Sequence, residues 1–480
     1  MKIFNIYKYT AIMLAVVLFT SCNKFLDAEP KGVVIPTKLD DYLALMSAPL
    51  EIGRTSNNTH YLTDEINLPD AYRAGAIGYP GTGPIRAYDF EAELYDVSEE
   101  DTDWNVAYRT IYVANSVLSG LETNTETNQA KRNQAKGEAL VHRAYTYLTL
   151  VNEYAKHYSN TSETDMGVPL NLKVDINDLP ARASVKAVYA QVEKDLLEAA
   201  DILSEKSTYS YRPNKAAAYG VLARMYLYMG NWTKASEYAG KALAIYNFIY
   251  DYTTFSLATP TKPQSSAITG YPSSSIAKKH IVLLKYSLKV GSYEFNYLFS
   301  NEQFNLLNPI AQDPASFDPY KVNDLRETYG SSPYGFSGTA FVNNGKGIRD
   351  FNGTYDYNNS GITTQELILT RAEALARLNQ TQLALDDVNA LRKKRIPTAK
   401  YADLTAATPA DALNLVLRER RIELAFTGLR LADIKRLNLE GRNISVTHGS
   451  KTLPANSPRF VLPIPSKVIS LNNNIKQNPR

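Results

Sequence analysis

The stretch LRERRIELAFTGLRL, residues 417–431, gathers Glu419 and Glu423 with Arg418, Arg420, Arg421 and Arg430. Carboxylates set beside guanidinium groups are the raw material of a general acid/base site or of an anion cradle. Periodicity argues for a different use. Leu415, Glu419, Ile422, Phe426 and Leu429 follow one another by four, three, four and three, so a single helix would carry all five on one face. Glu419 then interrupts an apolar stripe, and a carboxylate in that setting needs a partner. Arg420 and Glu423 stand three apart on the adjacent stripe and can pair along the surface for a few tenths of a kcal/mol. Gly428 is placed to end the helix in a left-handed turn. The expectation is a partly buried ion-pair latch between helix and loop.

Other residues with chemical potential give weaker patterns. The five histidines, 60, 142, 157, 280 and 448, form no HExxH pair, and the single cysteine leaves a zinc site without a second thiolate. His142 lies in a helical block and reads as a packed or hydrogen-bonded residue. The acidic run SEEDTDW (98–104) lacks the spacing of an EF-hand loop, so its acids are expected to be solvated and to favour the positive N-terminus of the following helix. GYPGTGPIR (78–86) lacks the GK[ST] of a phosphate-binding loop, and G-x-S-x-G is absent. Carboxylate pairs for glycoside hydrolysis are defined by their separation in space, which residue order does not supply. The expectations are no enzyme activity, no cofactor and no metal.

The elements that must position these residues are mostly helices. DWNVAYRTIYVANSVLSGL (103–121) spaces Trp104, Ala107, Tyr108, Ile111 and Leu118 on a helical face, with Asp103 as the expected N-cap. GEALVHRAYTYLTLVNEYA (137–155) and SVKAVYAQVEKDLLEAADIL (184–203) continue the pattern, Ser184 capping the second. NKAAAYGVLARMYLYMGNWTKASEYAGKALAIY (214–246) places Ala223, Ala235, Ala239 and Ala242 with Tyr219 and Tyr226 around a Gly230-Asn231 turn, an arrangement similar to a tetratricopeptide repeat. TQELILTRAEALARLNQTQLALDDVNALRKKR (364–395) repeats it with Ala372, Ala384 and Val388 around Asn379-Gln380. Ala223 and Ala372 are 149 positions apart, too far for a 34-residue array, so the two units must pair with other helices across long insertions.

Two such insertions, 51–102 and 251–363, are rich in Tyr, Asn, Gly and Pro. Irregular segments beyond about 15 residues in a compact domain are usually functional. Tyr occurs 34 times against two Trp, which supplies many amphipathic rings for packing or for a ligand. At the N-terminus a basic start and an apolar run from Ala11 to Phe19 read as a signal sequence, too short to span a bilayer of about 30 Å. Cys22 comes directly after the small residues Thr20 and Ser21 and is the expected lipidation site, giving a signal peptide over 1–21 and a tether over 22–30. A net charge of +3 on 480 residues gives no basic footprint for nucleic acid.

Taken in order, these segments closely resemble the SusD/RagB family of outer-membrane nutrient-uptake lipoproteins. The likeness starts at Cys22-Asn23-Lys24-Phe25-Leu26-Asp27 and runs through DWNVAYRTIYVAN, GEALVHRAYTYLTLVNEYA with the later GVPL (167–170), ARASVKAVYAQVEKDLLEAA and RPNKAAAYGVLARMYLYMGNW. It continues through ELILTRAEALARL and LRERRIELAFTGLRLADIKRL to a C-terminal VLPIPSKVISLNNNIKQNPR. The signature in the family usually has Glu where this chain has Thr427, and it retains Glu419, Arg420, Glu423, Gly428, Arg430 and Asp433.

The resemblance implies a mainly α fold of about four TPR-like helix pairs with minor β-structure. It implies one domain over 31–480, with an N-terminal part to about 213 and a C-terminal part from about 214. It also implies a lipid-anchored, outward-facing position on the outer membrane beneath no spanning helix, and a TonB-dependent (SusC-like) transporter as partner. The implied cargo is a glycan, delivered without cleavage; oligopeptides are the alternative. Sugar rings stack on aromatic faces while their hydroxyls need polar partners. Candidate ligand residues are therefore Tyr72, Arg73, Tyr79, Arg86 and Tyr88 in the first insertion and Tyr297, Phe317, Tyr320 and Tyr334 in the second.

Overall fold

The computed structural model describes residues 36–68, 73, 82–175, 177–257, 268–272, 277–287, 298–299, 302, 306, 324–337, 340–348 and 358–480. Cys22 and the signal segment lie outside the described residues, as do Tyr72, Tyr79, Tyr297, Phe317 and Tyr320. The described chain is mainly helical with short strands, as expected.

After a short helix α1 (Leu39–Met46), the scaffold runs through α2 (Thr102–Thr123), α3 (Gln129–Tyr154), α4 (Val185–Ile202), α5 (Lys215–Tyr228) and α6 (Trp232–Ile245). It resumes with α7 (Thr364–Arg377), α8 (Thr381–Arg392), α9 (Pro409–Glu423) and α10 (Arg430–Leu439). Each of α2 to α6 packs on the next, α6 packs on α7, and α7 packs on both α8 and α9. The two TPR-like units are thus neighbours in space, and the second insertion loops out between α6 and α7.

Small side chains make that packing close. Ala223, Ala235, Ala239, Ala242, Ala372, Ala384 and Val388 are all fully buried. Caps fix where the helices start. Ser184 accepts from the Ala187 N–H at 3.2 Å, and Asn214 and Asn231 cap α5 and α6. The cap of α2 is Asp101 rather than Asp103. Its backbone is extended (φ −81°, ψ 106°) and its carboxylate accepts from the N–H groups of Asp103 and Trp104. Nor is this acid solvated: Asp101 is 3% exposed and the Tyr154 hydroxyl donates to it at 2.7 Å. Burial, then the nearby Asp103, pushes its pKa up to about 7. Asp103 instead reaches back to the first insertion, accepting from Asn57 N–H (2.7 Å), Asn58 N–H (2.8 Å) and Ser56 Oγ (2.9 Å).

The two insertions are joined to each other through strands. These are β1 (Arg54–Thr55), β2 (Ile66–Asn67), β3 (Ile281–Leu283), β4 (Tyr286–Ser287), β5 (Leu298–Phe299), β6 (Ser331–Ser337), β7 (Ala340–Ile348), β8 (Asn358–Asn359) and β9 (Ile362–Thr363). One sheet has the order β1-β4-β8 and another β6-β7-β5-β2, so each contains a strand of the first insertion against strands of the second. In the first, Arg54 is paired in parallel with Tyr286, and Asn359 lies antiparallel to Tyr286. β9 pairs with β3 beneath them. Gly361 allows this crossing, since a Cβ there would stand 1.8 Å from the Leu283 carbonyl oxygen.

Lys285, between β3 and β4, is fully buried and pins the sheet to the scaffold. Its Nζ donates to the Ile52 carbonyl at 2.9 Å and lies 2.8 Å from His142 Nδ1. His142 is therefore a hydrogen-bonded core residue, and burial with the adjacent lysine holds its pKa well below the usual value.

Candidate functional site

The charged stretch that opens the sequence reading forms two helices, not one. α9 closes at Glu423 with the Leu424 N–H still donating to the Arg420 carbonyl at 3.0 Å. The chain then turns. Thr427 Oγ1 donates to the Leu424 carbonyl at 2.6 Å, and Phe426 and Gly428 take positive φ values of 62° and 78°. Phe426 packs against both of the large apolar clusters, which keeps a non-glycine residue in that strained conformation. The expected face through Phe426 and Leu429 is therefore cut short after Ile422, and Arg430 and Asp433 belong to α10. Gly428 makes the left-handed turn as its position suggests, but five residues beyond the helix end. A Cβ on it would meet Ser360 Oγ and Thr59 Oγ1 at 3.3 and 3.4 Å.

The charges do pair, but across elements rather than along the surface. Glu419 is fully buried and accepts from Arg326 Nη1 at 2.6 Å. The same Nη1 donates to Glu423 at 2.9 Å, and the Arg326 Nη2 donates to Asp324 at 2.6 Å. Glu423 also accepts from Arg395 Nη2 at 2.7 Å, and that guanidinium lies 4.0 Å over the Tyr252 ring. Arg420, 1% exposed, donates from Nε to Asp433 at 2.9 Å instead of pairing with Glu423. Asp433 accepts in turn from Arg436 Nε at 2.8 Å, and Arg436 reaches Glu373 on α7, also at 2.8 Å.

The first insertion enters through Asp64. It accepts from Arg430 Nε and Nη2, each at 2.7 Å, and from Arg421 Nη2 at 2.8 Å, while Arg421 Nη1 donates to Glu302 of the second insertion at 2.7 Å. Two helices thus hold Asp64 of one insertion and Asp324, Arg326 and Glu302 of the other.

The electrostatics follow from burial and pairing. Burial opposes ionisation of Asp433, but Arg420 and Arg436 together hold its carboxyl well below the usual range. Glu373 is lowered in the same way by Arg436 and Arg377, against its burial. Glu419 is raised by burial, which Arg326 and Arg392 only partly offset. Glu65, beside Asp64, is pushed up to about 8 by burial and then by the neighbouring carboxylate. Asp64, Asp324, Glu373, Glu419, Glu423 and Asp433 each accept from a guanidinium, so the arrangement holds chain segments in place. Among the described residues there is no cluster of His, Cys, Asp and Glu that could hold a metal ion.

Sequence reasoning found one side of this network and missed the other. Asp64, Asp324, Arg326, Arg395 and Glu373 come from distant segments. The only local signal was charge inside otherwise apolar runs.

Of the described ligand candidates, Arg73, Arg86 and Tyr88 lie in the first insertion and Tyr334 in the second. Arg73 donates to both oxygens of Asp89 at 2.6 Å and lies 5.7 Å from the Tyr88 ring centroid. Tyr88 is 3% exposed; its hydroxyl donates to Asn67 Oδ1 at 2.9 Å and its ring stacks on His448 at 3.9 Å. In this conformation it is a core residue with no free face. Arg86 sits at the surface among Asp96 (3.3 Å), Glu99 (3.7 Å) and Glu91 (3.9 Å). Tyr334 lies on β6. Among the described residues two exposed tyrosines lie elsewhere, Tyr112 on α2 and Tyr209, which stacks on Tyr211 at 5.0 Å.

Comparison with known proteins agrees with this architecture. Residues 24–227 match a SusD-like family model described as "Starch-binding associating with outer membrane", and residues 293–480 match the model of the SusD family. A SusD-like protein P2 from Formosa agariphila is 25% identical over 98% of this chain and 99% of its own. A SusD-like protein from Bacteroides ovatus is 28% identical over 48% of this chain and 41% of its own. In fold, a SusD superfamily protein from Bacteroides thetaiotaomicron superposes with a TM-score of 0.70 at 20% identity, covering 92% of this chain and all of the other. A SusD-like carbohydrate binding protein from Bacteroides vulgatus gives 0.65 at 19%, covering 92% and 98%. With matches in chain order at both ends, a relative aligned along nearly the whole length and the same helical architecture, the chain belongs to the SusD/RagB family.

Proposed function

We propose that this protein is a cell-surface lipoprotein that captures a polymer-derived nutrient, an oligosaccharide or polysaccharide fragment, and passes it uncleaved to a TonB-dependent outer-membrane transporter. The observation that carries this reading is where the charged signature goes. Its carboxylates and guanidinium groups are paired in fastening both insertions to the helical scaffold. That leaves the insertions, with their tyrosines, as the surface that meets cargo. The starch-binding description of the matched family model and the carbohydrate binding of the Bacteroides vulgatus protein support a glycan as that cargo. Among the described residues no helix is long and apolar enough to cross a membrane, which suits a lipid anchor at Cys22. Chains on that cysteine would hold the protein through burial worth about 0.8 kcal/mol per CH₂.

The test is affinity electrophoresis of the purified full-length protein in gels containing soluble starch and other polysaccharides, followed by calorimetry with oligosaccharides and with peptide mixtures. Retardation by at least one polysaccharide is expected, with no sugar product after long incubation. Paired Tyr297→Ala and Tyr320→Ala replacements should abolish it without lowering the melting temperature. Binding of peptides alone would overturn the glycan assignment, and released product would overturn the non-catalytic one.

A further inference from the structure

One cavity lies where both insertions meet the scaffold. It has a volume of about 50 Å³ and is walled by Thr59 of the first insertion, Glu153 of α3, Arg224 of α5, Ser360 before β9, and Thr427 with Gly428 of the signature turn. Two polar atoms in this wall have no hydrogen-bond partner, Glu153 Oε1 and Ser360 Oγ, although the residues are only 3% and 6% exposed. Their neighbours are already engaged. Arg224 donates to both oxygens of Glu366, at 2.6 and 2.8 Å, and to the Gly361 carbonyl at 2.6 Å; Thr427 is bonded to Leu424. Ser56, also in the wall, donates its Oγ hydrogen to Asp103 at 2.9 Å.

A buried polar atom without a partner is costly, and a cavity of one probe sphere, about 10–15 Å³, is enough for a water molecule that finds two to four polar contacts. This cavity exceeds that size and is lined with hydroxyl groups. We infer that it is a built hydration site, holding ordered water that supplies the partner lacking at Glu153 Oε1 and Ser360 Oγ and so joins α3, the second insertion and the signature turn. A cation fits less well. It would need about six oxygen ligands, whereas the wall includes the Arg224 guanidinium, and Lys435 Nζ sits against the Asn152 carbonyl at 2.6 Å, next to Glu153 in the chain. Burial also pushes the Glu153 carboxyl well above its usual pKa, and a neutral carboxyl can both donate to water and accept from it. The site does not depend on what the protein binds, since it lies at the joint between the scaffold and the insertions.

Diffraction from crystals of the full-length protein at about 1.5 Å resolution tests it. The expected result is a water oxygen about 2.6–3.2 Å from Glu153 Oε1 or Ser360 Oγ. An empty cavity beside both atoms would overturn the inference, as would a peak ringed by oxygens at about 2.3–2.6 Å, which marks a cation. In solution, oxygen-17 relaxation dispersion should count at least one fewer long-lived water in Thr427→Met, whose longer side chain enters the cavity, and an unchanged count would contradict the site. If that variant does not fold, diffraction from the unaltered chain decides alone.

Discussion

Arg326 serves three carboxylates at once, Asp324, Glu419 and Glu423, and all four side chains are buried. Removing it leaves negative charge in a low-dielectric setting, a loss of about 3–5 kcal/mol for breaking a buried pair. Arg326→Ala should lower the urea midpoint accordingly. Arg86→Ala, at a surface site, should change stability by less than about 1 kcal/mol.

Glu65 carries a prediction of opposite sense. Its folded pKa of about 8 lies above the ordinary carboxyl value. A group raised in this way favours the folded state below its unfolded pKa, and that advantage is lost as pH rises to the folded value. Glu65→Gln should therefore gain stability relative to wild type between about pH 4.5 and 8 and then level off, as read from thermal melts across that range. A constant difference would contradict the assignment. At this scale the sequence showed that Glu419 needed a partner but not which one, because Arg326 lies 93 positions away from it.

The helices were legible because their apolar spacing and caps are local. Ser184 and the Gly230-Asn231 and Asn379-Gln380 turns fall where expected, and Asn379 takes a positive φ of 60°. Ser184→Ala should cost about 1 kcal/mol by losing the cap. What failed locally was decided by long-range packing. Asp101 displaced Asp103 as cap because Asp103 is drawn to the Asn57 and Asn58 amides of another segment. α9 ended early because Phe426 is anchored in two cores at once. Strand pairing was the least legible feature, since β1, β4 and β8 are two residues each and carry no period. Gly361→Ala probes that pairing. A methyl group 1.8 Å from the Leu283 oxygen should cost at least about 1–3 kcal/mol and loosen β9 from β3.

Over the whole molecule, a helical stack is interrupted by one long excursion between α6 and α7, and the described part of that excursion is held by ion pairs together with a small aromatic cluster of Tyr250, Tyr252, Phe255 and Tyr329. Family membership was readable in the sequence because many segments recur in order. Ligand contacts were not, because a loop tyrosine that packs and one that stacks on a sugar are the same residue type, as Tyr88 in its His448 stack illustrates. At the level of the cell, Cys22→Ser should move the protein from the membrane pellet to the soluble fraction; retention in the pellet would contradict lipid anchoring. The central claim, that the signature helices clamp the insertions, is tested most directly by hydrogen exchange on Arg326→Met. The expected map shows faster exchange in 248–257 and 325–330 and in the paired strands 54–55 and 286–287, with α4, α5 and α6 still protected. Unchanged exchange in those insertion segments would contradict the clamp.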